Sequence, residues 1–145
     1  MSTVLLPITL ASAGAAAIIN VWIALRVGGV RRAVNIATGD GGNPALIARM
    51  RAHANFVEYT PFVLILLGLI EYNIGSALWL WIVSAVYLLG RIAHPFGMDG
   101  VRPARTIGTA TTLLILLGLG IYAAALPFTG GAAKAPTAIE APAKG

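Results

Sequence analysis

The sequence predicts an all-α integral membrane protein, a four-helix bundle in which every helix crosses the bilayer. Three observations carry that prediction. Of 145 residues, 58% are hydrophobic and only 10% are charged, with a mean hydropathy of +0.84, whereas a soluble domain carries about 25% charged residues. The apolar residues fall into four runs, each near the roughly 20 residues that span about 30 Å of hydrocarbon. Eight of the ten basic residues are arginines between Arg26 and Arg105, gathered where those runs end.

The first helix is expected over about residues 4–30 and the second over about 45–72, separated by a loop whose glycines and Pro44 mark a break and a helix start. The turn from Tyr72 to Ser76 is short, so helices two and three should be antiparallel neighbours. Helix three is expected over about 77–93, a break over 95–103, and helix four over about 106–126. Residues 1–126 thus form one four-helix domain. Residues 127–145 turn to Gly, Ala, Pro, Lys and Thr and are expected to be a flexible tail. The small residues Ser12 to Ala17 resemble those before a signal cleavage site. The segment before them has no basic residue, however, and the apolar run continues through Ile18, Ile19, Trp22 and Leu25. It is expected to remain a membrane helix whose small residues let other helices approach.

The absence of cysteine excludes disulfides, thiolate metal sites and a cysteine nucleophile, so any thiol chemistry must come from a ligand. A net charge of +5 would suit nucleic acid, but the arginines flank membrane segments and do not cover a soluble face, so no nucleic-acid partner is expected. Arg26, Arg31, Arg32, Arg49 and Arg51 surround loop one, and Arg91, Arg102 and Arg105 surround loop three, while loop two has only Glu71. By the positive-inside rule both basic loops are cytoplasmic and both termini lie outside. Anchoring at the headgroups explains Arg26, Arg32, Arg49 and Arg102.

Anchoring does not explain helix two. Arg51, Asn55 and Glu58 are spaced i, i+4, i+7 and share one face. At 1.5 Å per residue from Tyr72, Glu58 lies roughly 20 Å from the far end, within the hydrocarbon region. An ionisable group there is costly and is functional by default, the structural reading being a tether between helices. In helix three, Tyr87, Arg91 and His94 repeat the spacing near the cytoplasmic end. His53 and Glu58 do not face together and His94 stands alone, so no metal is expected.

The run Arg49-Met50-Arg51-Ala52-His53-Ala54-Asn55-Phe56-Val57-Glu58-Tyr59-Thr60-Pro61 resembles the signature of the membrane-associated proteins in eicosanoid and glutathione metabolism. The likeness extends over about residues 4–126, including the stretch from Arg91 to His94 and the basic loop before helix four. The resemblance, to a bacterial-type microsomal glutathione transferase, implies an inner-membrane homotrimer that binds glutathione between subunits at the cytoplasmic boundary. By matching motif positions it implies that Arg51, His53, Asn55, Glu58 and Tyr59 hold glutathione, with Arg31 reaching in from helix one and Arg91 and His94 from helix three. Arg105 falls where the family's thiol-activating arginine lies. One position departs: where the eicosanoid synthases commonly have an aromatic hydroxyl, this chain has Met98.

Glutathione carries two carboxylates, an ammonium and a thiol, so its site needs guanidinium groups, a carboxylate and amides facing one cavity. Its co-substrate would be a hydrophobic small molecule arriving through the bilayer. Two other classes also fit four apolar helices. A small transporter would need a carboxylate that gains and loses protons, whereas Glu58 lies among arginines that favour its charge. A non-catalytic structural subunit would not need Arg51, Asn55, Tyr87, Arg91 and Arg105 at one end of the chain.

Overall fold

The architecture follows from four long apolar helices and the few polar groups that lock their ends. In the computed structural model, which describes residues 4–129, these are α1 (Pro7–Ala33), α2 (Pro44–Ile74), α3 (Leu78–Met98) and α4 (Arg102–Ala125), with a 3-10 turn at Leu126–Phe128. All four are long and apolar enough to cross a membrane. The closest pairings are α3 with α4 and α1 with α2. Successive helices are antiparallel. Glu71 near the end of α2 meets Ile8 and Thr9 at the start of α1, and Trp79 at the start of α3 stacks edge-on against Tyr122 at the end of α4, 5.3 Å away.

Toward the Glu71 end, Ile8, Val63, Leu67, Ile70, Leu80, Tyr87 and Leu119 form one buried cluster, and deeper along α1 and α2 Ala16, Ile19, Ile23 and Phe56 form another. Large apolar residues such as Ile18, Leu25, Phe62, Leu114 and Leu117 point outward. Lipid tails satisfy them without cost, as the composition requires.

Helix ends depart from the sequence expectation. Helix α2 begins where expected, at Pro44, because Asn43 accepts from the Leu46 N–H at 3.0 Å and proline fits a helix's first turn. Helix α3, however, runs through buried Pro95 to Met98. Proline removes one helical donor, but the Asp99 N–H still reaches the Pro95 and Phe96 carbonyls at 3.2 Å, so the turn survives. The expected break over 95–103 shrinks to residues 99–101, and α4 starts at Arg102 with Pro103 in its first turn. Arg105 therefore belongs to the first turn of α4. Of the tail expected over 127–145, residues 130–145 lie outside the described residues.

Glu71, counted from sequence as the only charge of loop two at the end of helix two, is buried within α2. Helix α1 has no side-chain cap of its own, since Leu6 occupies the N-cap position, and its free N–H groups need an acceptor. Glu71 supplies it from another helix, accepting from Ile8 N at 3.0 Å, Thr9 N at 2.8 Å, Thr9 Oγ1 at 2.7 Å and Ser76 Oγ at 2.7 Å. A carboxylate at a helix N-terminus is further favoured by the helix dipole. Glu71→Gln keeps the shape but loses the charge and turns one acceptor into a donor. It should destabilise the chain by roughly 2–3 kcal/mol, read as a lowered unfolding midpoint in detergent.

Candidate functional site

Three helices bring a polar stripe to the same end of the bundle, opposite Glu71. Arg51, Asn55 and Glu58 come from α2, Arg91 and His94 from α3, and Arg105, Thr109 and Thr112 from α4. Every stripe uses the same rule, that residues three and four apart share a helical face. The stripes can meet because α3 and α4 touch through glycine. A Cβ at Gly108 would stand 2.8 Å from the Gly90 carbonyl oxygen and from His94 Cβ, and one at Gly97 would stand 2.1 Å from Arg105 N.

At the centre lies Arg91, 0% exposed. Its Nη1 donates to Asn55 Oδ1 at 2.9 Å and to Thr112 Oγ1 at 3.0 Å, joining α2, α3 and α4. The Thr112 hydroxyl in turn donates a hydrogen bond to the Gly108 carbonyl at 2.8 Å. The guanidinium carbon lies 5.4 Å from the Phe56 ring centroid, while Nε and Nη2 have no partner among the described residues. A buried cation without a counter-charge is expensive, which concentrates the demand for acceptors here. One helical turn toward the Glu71 end, Tyr87 shares a hydrogen bond of 3.0 Å with Thr60.

Beside this centre is a cavity of about 250 Å³ lined by Arg51, Asn55, Glu58, His94, Met98 and Arg105. Thr109 closes it, its hydroxyl 3.4 Å from His94 Nδ1. Glu58 is the one carboxylate with neither an ion pair nor a hydrogen bond among the described residues, and Arg51 and Arg105 are equally uncommitted there. Outside α4 a larger groove of about 640 Å³ runs from Arg102 past Thr106 and Ala110 to Leu113, and it shares Arg105 and Thr109 with the cavity.

Other predicted residues lie elsewhere on the chain. His53 Nε2 bonds Asn20 Oδ1 of α1 at 2.9 Å and faces away from the cavity. Arg31 donates to the loop-one carbonyls of Ile36, Ala37 and Gly39, the last at 2.8 Å, and borders a separate surface depression. Tyr59 is half-buried and does not line the cavity. Arg26 and Arg49, read from sequence as anchors, both pair with Asp99.

The sequence matches the model of the MAPEG family over residues 9–125. The chain belongs to the MAPEG family. That family includes membrane glutathione transferases. The chain is also similar to the inner membrane protein YecN of Escherichia coli K12, being 36% identical over 69 residues, which are 47% of this chain and 52% of YecN. YecN of the E. coli strain CFT073 matches with the same identity and coverage. The chain spans about half the length of the curated relatives it matches.

Within this MAPEG chain, sequence reasoning missed Thr109, Thr112 and Asp99. The threonines carried a signal, since Arg105, Thr109 and Thr112 repeat the i, i+4, i+7 spacing of the stripes on α2 and α3. Asp99 carried none, because its two partners lie 50 and 73 positions away. Removing an acceptor from Arg91 should be costly: Asn55→Ala is expected to lower stability by about 1–3 kcal/mol. Thr112→Ser, which keeps its hydroxyl, should melt close to the parent, and thermal unfolding of both variants checks the difference.

Proposed function

We propose that this MAPEG chain is a membrane glutathione transferase that holds the glutathione thiolate beside Arg105 for attack on a hydrophobic electrophile or peroxide. The observation that carries the proposal is the cavity's chemistry: an uncommitted carboxylate and two uncommitted guanidinium groups face one space. Glutathione presents the complement, one ammonium and two carboxylates, with amides that Asn55 and His94 can meet. The thiol needs a source outside the chain, which has no cysteine.

In this reading Glu58 binds the ammonium, Arg51 a carboxylate, and Arg91 fixes Asn55 from behind. Arg105 acts by charge and hydrogen bonding and takes no proton, because arginine stays protonated at any working pH. The start of α4 adds a helix dipole of the same sign. A hydrophobic co-substrate reaches the sulfur along the α4 groove, which shares Arg105 and Thr109 with the cavity. The proposed setting is an inner membrane with loops one and three cytoplasmic.

The proposed assembly is a homotrimer with the site between copies. Arg51, Glu58 and Arg105 are all exposed on one chain, although they flank membrane segments, where an uncovered charge is costly. A neighbouring copy would cover them. It would also supply the Arg31 and His53 that a single chain holds away from its own cavity.

Two measurements test the roles. Truncating one partner of a desolvated charge pair costs about 2–5 kcal/mol, so Glu58→Gln should weaken calorimetric glutathione binding at least tenfold in protein that still assembles. Unchanged affinity would remove Glu58 from the site. An ordinary thiol has a pKa of about 8.5, leaving only a few per cent thiolate at pH 7. Arg105→Ala should therefore raise the bound thiol's pKa and reduce turnover on an aromatic electrophile while glutathione still binds, with Arg105→Lys recovering part of both. Thiolate ultraviolet absorbance across pH reads the first and product formation the second.

A further inference from the structure

We propose that Asp99 and Gly97, on either side of Met98 at the end of α3, are positioning residues that hold the Arg105 guanidinium at the cavity. The proposal rests on the reading of Arg105 as the thiolate-stabilising arginine. Neither residue lines the cavity, so each acts only through Arg105.

Asp99 is the hub of both ion pairs among the described residues. Its Oδ1 accepts from Arg49 Nε of α2 at 2.8 Å, and its Oδ2 pairs with Arg26 of α1. The Arg26 guanidinium also lies against two neighbouring rings, 4.8 Å from the Trp22 centroid and 4.9 Å from that of Phe96. One carboxylate therefore ties the end of α3 to α1 and α2. Asp99 lies at the surface with its side chain 26% exposed, so each pair alone is partly screened and the tie rests on both arginines together.

Only residues 99–101 separate α3 from α4, and they are internally bonded. Val101 N donates to Phe96 O at 3.2 Å and Arg102 N to Gly100 O at 3.0 Å, while Gly100 takes a φ of 117°, which favours glycine. A connection this short transmits the position of Asp99 to the first turn of α4, where Arg105 sits. Gly97 fixes the other coordinate. A Cβ there would lie 2.1 Å from Arg105 N and 2.3 Å from Arg105 Cα, so the Arg105 backbone fills the space that a side chain would take. These two nearest neighbours are backbone atoms, which cannot swing aside as a side-chain tip could. The clamp keeps the connection from drifting outward, and the bare glycine lets α4 come fully in.

This geometry separates positioning from simple bundle closure. If Asp99 and Gly97 served only closure, their variants would alter stability and leave the bound thiol unchanged. The test uses the full-length chain in lipid nanodiscs and the variants Gly97→Ala, Asp99→Asn and Asp99→Glu, with Arg105→Ala as reference. Because the ligand is not touched, glutathione affinity should stay within about threefold. The thiolate titration midpoint should rise by about one pH unit in Gly97→Ala and Asp99→Asn, toward the Arg105→Ala value, and Asp99→Glu should recover part of it. Parent-like midpoints in folded Gly97→Ala and Asp99→Asn would overturn the proposal.

A second readout needs no glutathione. The cysteine-free chain accepts spin labels at Ile47→Cys on α2 and Thr106→Cys on α4, and labelled protein diluted into unlabelled copies reports the distance between them. Gly97→Ala and Asp99→Asn should shift or broaden that distance, and an unchanged distribution in both would also overturn the proposal. If the parent protein binds no glutathione, the functional reading fails on its own, and the label distances still decide whether these residues place α4. Should Asp99→Asn fail to assemble, Gly97→Ala, which removes no charge, decides the same question.

Discussion

The buried guanidinium of Arg91 is the constraint on which the half of the bundle opposite Glu71 depends. A charged group with 0% exposure inside a lipid-facing bundle must find acceptors from its neighbours. It finds one on α2, Asn55, and one on α4, Thr112. Reaching both requires α3 and α4 to lie closer than ordinary side chains allow, and the glycines supply that approach: Gly108 rests against the Gly90 carbonyl and His94. The same approach that satisfies Arg91 places Thr109 beside His94 and Arg105 at the cavity wall.

The carboxylates divide the remaining work. Glu71 is consumed at one end by the uncapped start of α1, and Asp99 at the other by Arg26 and Arg49. Asp40 closes its own turn by accepting from Gly42 N at 2.8 Å. Glu58 alone has no partner among the described residues, and it stands in a cavity with arginines that are also free. In a low-dielectric setting an uncommitted ionisable group is the costly exception. The fold thus uses its other described carboxylates for architecture and leaves a complementary set at one place.

Helical spacing alone makes much of this legible in the sequence. Arg51, Asn55 and Glu58 do share one face and one cavity, and Tyr87, Arg91 and His94 are all buried along one stripe of α3. Spacing within a helix is local and survives folding unchanged. Helix ends were not legible in the same way. Pro95 reads as a breaker in isolation, yet α3 continues through it because the next turn finds the Pro95 and Phe96 carbonyls. Glu71 reads as an exposed charge at the end of helix two, yet the bare start of α1 draws it into the interior. Where Arg31 and His53 point was also beyond reach, since each is turned by a partner, the loop-one carbonyls or Asn20, that its own helix does not specify.

The position of the cavity along the bundle also has a physical reason. On the proposed reading a water-soluble peptide thiol meets a hydrophobic co-substrate, and a site that joined them would touch the aqueous boundary at one side and the hydrocarbon at the other. On the same reading Arg102, at the start of α4, would mark the boundary, and the groove runs from it past Ala110 to Leu113. Arg105 and Thr109 belong to both spaces. An arginine set one turn deeper would lack access from water, and one in a free loop would have no fixed distance to the sulfur. The first turn of a helix satisfies both demands, because it is near the boundary yet rigid, and its own dipole favours the anion that Arg105 is proposed to hold.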